Sequence, residues 1–195
     1  MSGMALVSGC DERVGQVAAA LREGGAEVVE VDAPGRLAEI AAGLEPGSLA
    51  HYVQLPVSVD VSGSTLVGRV RTFLQKGLLA RFDAADAVLP ALRNDATVVL
   101  VSGNTAVEGG GMPDDASARF ALLDVLAHAI RAEKAPGVVR VRLLAADTEA
   151  SDIAAVALRG ERLAPRAIWD IQAREAEMSY EDWRAEVMGL ATVEV

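Results

Sequence analysis

Two spacings of apolar residues alternate along the chain. The first belongs to short runs, rich in β-branched residues, that have the length and composition of strands. These runs are Ala5–Val7, Val28–Val31, Tyr52–Leu55, Thr97–Val101 and Val138–Leu144. Because they are almost continuously apolar, they are typical of strands that are covered on both faces of a sheet.

Longer segments rich in Ala and Leu separate these runs and have helical spacing. They are Val14–Glu23, Arg36–Leu44, Thr65–Leu92, Asp115–Glu133 and Ala150–Arg159. Alternation of strand and helix is the signature of a parallel sheet with crossover helices on both faces. Gly24-Gly25 after the first helix and Pro34-Gly35 before the second agree with these boundaries. The sequence therefore predicts a doubly wound, Rossmann-like α/β domain over residues 1–160.

The C-terminal residues differ in composition. The segment Asp170–Val195 contains seven acidic residues and two arginines, a net charge of −5. Within it, Glu175–Val187 has helical spacing, with Met178 and Trp183 roughly on one side. We interpret residues 161–195 as a helical extension. Packing on its own domain, docking on a partner and disorder are three alternatives for it.

Charge and composition exclude several kinds of protein. The chain has 195 residues, 51% of them apolar, with 18 basic and 28 acidic side chains and a net charge of −10. This acidic balance opposes binding to nucleic acid or an anionic membrane surface. A single cysteine excludes an intramolecular disulfide, and His51 and His128 without a third ligand do not suggest a metal site. With no bilayer-length apolar stretch and no signal peptide, we expect a cytoplasmic protein.

The first strand and turn carry a family resemblance. The stretch Ala5-Leu-Val-Ser-Gly-Cys-Asp-Glu-Arg-Val-Gly15, then a helix, then Ala26–Asp32, resembles the short-chain dehydrogenase/reductases. That family carries Thr-Gly-x-x-x-Gly-x-Gly after its first strand and an acidic residue after its second. The order of later segments agrees, so the similarity covers most of Ala5 to Leu158. The resemblance implies a Rossmann fold, an NAD cofactor and an oligomeric assembly.

The resemblance places four candidate cofactor-binding residues at the ends of the first two strands. In the glycine turn, Gly9–Gly15, Gly9 and Gly15 occupy the first and third glycine positions. Arg13 occupies the middle one, where a side chain either blocks the cofactor or offers its guanidinium to a phosphate. Asp32 either accepts the ribose hydroxyls of NAD or caps the next helix near Pro34. NAD binding is therefore expected to be weak or absent.

The catalytic residues of the family are missing. The family uses a tyrosine four residues before a lysine, assisted by a serine and an asparagine. The tyrosines here are Tyr52 and Tyr180, and neither is followed by a lysine at that spacing.

Other residues stand at the family's catalytic positions: Ser102, Asp115 and Arg119. An aspartate beside an arginine stays ionised, so Asp115 cannot donate a proton at neutral pH. The helix asparagine is expected near Leu74 or Gly77, and neither position has one. We therefore expect no catalytic residues.

The chain is also shorter than its presumed relatives. Asp32 leads through one helix directly into His51–Leu55, so one helix and one strand are absent relative to the family. If the lost strand is the outermost one, the order of the remaining strands is preserved.

The preferred interpretation is a non-catalytic member of the family that acts in oligomer assembly or regulation. Its two long central helices, Thr65–Leu92 and Asp115–Glu133, remain apolar. The partner would be a second copy or an intact short-chain dehydrogenase. Two alternatives are an NAD-dependent oxidoreductase with altered catalytic residues and a nucleotide-binding sensor module.

Overall fold

A computed structural model describes residues 3–9, 13–56, 65–102, 116–134, 139–145 and 148–159. Cys10, Asp115 and the predicted C-terminal extension, 161–195, lie outside the described residues. The predicted boundary at residue 160 therefore stays a prediction.

Five parallel strands form one sheet in the order β2-β1-β3-β4-β5. They are β1 (Met4–Ser8), β2 (Glu27–Val31), β3 (Leu49–Gln54), β4 (Leu92–Val101) and β5 (Arg140–Leu144). The predicted strands are confirmed, but β3 and β4 begin earlier than their apolar runs suggested. The register between these two strands shifts between Leu49 and His51, so their first residues pair irregularly.

The helices also follow the prediction, except that the segment Thr65–Leu92 is divided and its last residue, Leu92, belongs to β4. They are α1 (Arg13–Glu23), α2 (Leu37–Ala42), α3 (Leu66–Thr72), α4 (Ala80–Val88), α5 (Ala116–Glu133) and α6 (Ala150–Arg159). A π-helical segment, Phe73–Leu79, joins α3 to α4. The end of α1 is closed by Gly25 in the left-handed region (φ +88°), while Ala26 N donates to Leu21 O. None of the described helices is both long and apolar enough to span a membrane.

The strand order explains how a shortened chain keeps a Rossmann-like fold. The long form of this fold has the order 3-2-1-4-5-6. Removal of its outermost strand gives the order observed here. The observed order is the one expected if the lost strand is the outermost one, and the centre of the sheet, where ligands bind in this fold, is retained.

Both faces of the sheet are covered, as a doubly wound fold requires. Alternate side chains of β1 divide between two cores, with Val7 packed beneath α1 and α6 and Leu6 on the opposite face beneath α2, α4 and α5. The first core includes Val53, Val99 and Ile153, and all three are fully buried. The predicted fold class is confirmed.

Candidate functional site

The carboxyl ends of the central strands lie level with one another. Backbone hydrogen bonds between the strands continue just past their last residues. Gly9 N donates to Val31 O at 3.1 Å, and Leu55 N donates to Ser8 O at 2.8 Å. Ser102 N donates to Leu144 O at 2.7 Å in the same way. In open parallel sheets, ligands bind outside the carboxyl ends where the strand order reverses, here between β1 and β3. This edge is the candidate site.

The two glycines of the glycine turn have different surroundings. A Cβ on Gly9 would lie 2.9 Å from Leu55 Cβ and 3.1 Å from Val14 Cγ2, so a side chain there would force β3 and α1 apart. Gly15 is exposed, and a Cβ there would meet nothing closer than Glu30 Oε2 at 4.0 Å. Close packing therefore explains a glycine at position 9 and does not require one at position 15.

Arg13 joins the glycine turn to the far end of the same edge. It is the first residue of α1, and its Nη2 donates to Thr148 O at 2.7 Å. Thr148 precedes α6 and is buried, and its Oγ1 donates to Ala145 O at 2.8 Å. The guanidinium thus links the turn that would cradle a pyrophosphate to the loop after β5. A glycine at position 13 would leave the space of this side chain open.

Asp32 is exposed immediately after β2. A 3₁₀ helix, Pro34–Arg36, follows it and leads into α2, whose first turn is preceded by Arg36. On the strand itself, Glu30 Oε1 pairs with Arg22 Nη2 of α1 at 2.6 Å. Both alternatives for Asp32, binding of a ribose hydroxyl and capping, stay predictions.

The positions of the family's catalytic residues are only partly described. Ser102 is half-buried directly after β4. Asp115 lies outside the described residues, and Arg119 is placed in α5 by its backbone. Where the helix asparagine was sought, Leu74 is exposed and Gly77 is buried within the π-helical segment. Among the residues that the structure describes, no three His, Cys, Asp or Glu side chains are grouped as metal ligands.

A buried polar network lies directly beneath this edge. Arg81 of α4 donates from Nε to Gln54 Oε1 (2.8 Å) and from Nη2 to Gln54 O (3.3 Å) and Val101 O (3.0 Å). Gln54 Nε2 donates to Arg81 O (2.9 Å) and to Tyr52 Oη (3.2 Å). Tyr52 Oη lies 3.1 Å from Ser8 Oγ. The network therefore ties together β1, β3, β4 and α4.

Burial decides the ionisation of this network. It lowers the pKa of Arg81 to about 10, because the guanidinium is removed from water. Burial also raises the pKa of Tyr52, while hydrogen bonds with Ser8 and Gln54 and the charge of Arg81 act in the opposite direction. Tyr52 therefore stays a neutral phenol at physiological pH.

The network brings a phenol near a cation, which the sequence did not reveal. Tyr52 is only 1% exposed, however, so its hydroxyl cannot reach a substrate above the edge. One signal was present in the sequence: Gln54 ends a run that is otherwise apolar, and Arg81 lies on the inward side of an apolar helix. A polar residue at a core position requires a partner, but the sequence does not say which one.

Two solved structures with similar folds are described as dehydrogenases. One described as a small-chain dehydrogenase aligns with a TM-score of 0.60 and 16% identity, over 84% of this chain and 91% of that one. A structure described as a short-chain dehydrogenase/reductase from Corynebacterium glutamicum aligns with a TM-score of 0.53 and 17% identity, over 85% and 95%. No protein-family model and no curated protein matches the sequence. The chain thus has a short-chain dehydrogenase/reductase-like fold.

Proposed function

We propose that this protein is a non-catalytic, short-chain dehydrogenase-like subunit that acts in oligomer assembly or regulation. The observation that carries the proposal is the hydrogen bond from Arg13 to Thr148 O, because it closes the crevice in which the fold would hold NAD. Arg13 thereby acts as an internal substitute for the cofactor, joining two loops that a dinucleotide would otherwise bridge.

The chemistry of the remaining residues supports the absence of hydride transfer. A tyrosine followed four residues later by a lysine occurs nowhere in the sequence. Tyr52, the phenol nearest the edge among the described residues, is neutral and sealed within the buried network. Proton transfer to a reacting carbonyl requires a group within hydrogen-bond reach of the substrate, and Tyr52 is not within that reach.

Exposed apolar residues on the central helices support an assembly role. Val67 is 69% exposed, and Leu79 and Val125 are each 55% exposed. On α5, Val125, Ala129 and Ala132 are all exposed at a spacing that keeps them on one helix side. Exposed apolar groups concentrated on neighbouring helices favour association with another protein surface. The proposed partner is a second copy of the chain or an intact short-chain dehydrogenase.

A calorimetric titration tests the closed crevice. We expect no heat of binding when NADH is added to the wild-type protein, and a gain of binding in Arg13→Gly, which restores the family's glycine. Arg71→Ala, an exposed arginine on α3, is the matched control and is expected to resemble the wild type. The opposite pattern, in which the wild type binds and Arg13→Gly does not, would make Arg13 a phosphate ligand. Oxidation of NADH with a carbonyl substrate would overturn the proposal.

Light scattering after gel filtration tests the assembly role. We expect the wild-type protein to be larger than a monomer, alone or with a dehydrogenase recovered from its native cells. Val125→Glu is expected to break this assembly, because a charge would be buried in the apolar contact. Ala19→Glu places the same charge on an exposed position of α1, which packs on the opposite face of the sheet from α5. This variant is expected to leave assembly intact. A monomer recovered without a partner would contradict the proposal.

A further inference from the structure

Basic side chains are concentrated at one corner of the sheet, where the amino ends of β4 and β5 meet the end of α5. We call this the basic corner, and it is formed by Arg93, Arg131, Lys134, Arg140 and Arg142. Asp95 and Glu133 are their acidic neighbours along the described chain, so these seven side chains sum to +3 in a chain whose total is −10. Such a reversal of charge favours an anionic neighbour.

Several basic groups of this corner are held in place by the fold. Arg140 Nη2 donates to Asp95 O at 2.8 Å, and Arg93 Nε lies 2.9 Å from Asp95 Oδ1. Lys134 Nζ donates to Leu92 O at 3.1 Å. Asp95 itself has a positive φ of 76°, which bends the start of β4 around these groups. The cations are therefore ordered before any anion binds, which lowers the entropy lost on binding.

The positive field of this corner extends into the core. His51 is buried on β3, in register with Thr97 of β4, which pairs in turn with Arg140 of β5. Burial lowers the pKa of His51, and the charges of Arg93 and Arg140 act in the same direction. A hydrogen bond with the Ala157 backbone and the charge of Asp95 act against it. Asp95 thus only partly neutralises the two arginines.

The described chain ends at the same edge of the sheet. Leu158 packs against Gly24 at the C-terminal end of α1, and the Ala157 backbone contacts His51. Ten residues, 160–169, separate Arg159 from the acidic segment Asp170–Val195. Fully extended, they span roughly 33 Å. Because neighbouring strands are about 5 Å apart, the basic corner lies well within reach.

We propose that the acidic segment Asp170–Val195 docks on the basic corner of its own chain. The segment carries a net charge of −5 and the corner +3, so their contact lowers the repulsion that each would feel alone. Covalent linkage through a short connection makes the contact intramolecular and raises its effective concentration. The inference does not depend on the proposed function.

Tryptophan fluorescence can test this contact directly. The two tryptophans of the chain, Trp169 and Trp183, both lie in the C-terminal region, so their emission reports only on that region. We expect acrylamide quenching to increase about twofold in Arg93→Glu/Arg140→Glu, and also in the wild type at about 0.5 M NaCl, where charges are screened. The matched control is Arg36→Glu/Arg71→Glu, which reverses the charge of two exposed arginines outside the basic corner and is expected to leave quenching unchanged.

A rescue variant separates docking from damage to the fold. Adding Glu181→Arg/Asp182→Arg to the Arg93→Glu/Arg140→Glu protein restores opposite charges, so we expect the original protection to return. If the charge reversals unfold the domain, Arg93→Gln/Arg140→Gln serves in their place, with circular dichroism as the check. Acrylamide quenching that changes neither with salt nor with charge reversal would overturn the proposal. Protection that disappears on dilution would also overturn it, since the segment would then occupy another copy of the chain.

Discussion

The glycine turn and the buried network lie at the same edge of the sheet, yet they are built in opposite ways. The glycine turn is continuous in sequence, and Arg13 reaches across it with a half-buried side chain. The buried network draws Ser8, Tyr52, Gln54 and Arg81 from three separate elements. One is a local motif at the surface, and the other is a set of long-range contacts within the core.

This difference determines what each region contributes. A hydrogen bond at a half-buried surface competes with water and contributes little net stability. Within the core, a lost partner leaves a polar group that water cannot reach, so the cost is much larger. We therefore expect substitutions in the buried network to affect folding, and substitution of Arg13 to affect ligand binding more than folding.

The largest effect is expected for Arg81→Met. Like the aliphatic part of arginine, the methionine side chain is unbranched and apolar. It leaves Gln54 Oε1 and the carbonyl oxygens of Gln54 and Val101 without the donor that Arg81 provides. Relief from burying a charge offsets part of this loss, so we expect a net loss of about 3 kcal/mol in the free energy of unfolding. Urea denaturation followed by circular dichroism measures it.

Two comparisons sharpen this prediction. Lys76→Met replaces an exposed cation close to Arg81 in the chain and is expected to change stability by less than about 0.5 kcal/mol. The double variant Arg81→Met/Gln54→Leu removes both donor and acceptor, so it is expected to lose less than the sum of the two single changes. Additive losses would mean that the two side chains do not act as one unit.

The same contrast explains how far the sequence could be interpreted. The limits of α6 were predictable, because their signals lie within a few consecutive residues. The contact between Arg13 and Thr148 joins residues 135 positions apart, and Tyr52 and Arg81 meet only after β3 and α4 have packed. Periodicity identifies which face of an element is buried, but not which polar groups meet there.

The next largest effect concerns the pH dependence of stability. Burial raises the pKa of Tyr52 above its usual value of 10.0, so its contribution to stability is complete below pH 10 and decreases as the pH rises through the folded value. We expect the wild type to lose up to about 1.4 kcal/mol more per pH unit than Tyr52→Phe in that range. Burial lowers the pKa of Arg81 and acts oppositely in both proteins, whereas the charge of an ionised Tyr52 raises that pKa in the wild type alone. Parallel curves in alkaline urea titrations would contradict the buried phenol.

The smallest effect is expected for Arg13→Ala. The variant loses a charged hydrogen bond to Thr148 O, but it also removes a cation from the N-terminal end of α1, where the helix dipole is unfavourable to positive charge. The two changes partly cancel, so we expect a loss of about 0.5 kcal/mol in the free energy of unfolding. Hydrogen exchange is the more sensitive measurement, because the loop before α6 loses its hydrogen bond to Arg13. The amides of Thr148 and Ile153 should therefore exchange faster. Arg36→Ala, which removes another exposed arginine, is the control. Exchange that is equally slow in all three proteins would mean that Arg13 does not hold the crevice closed.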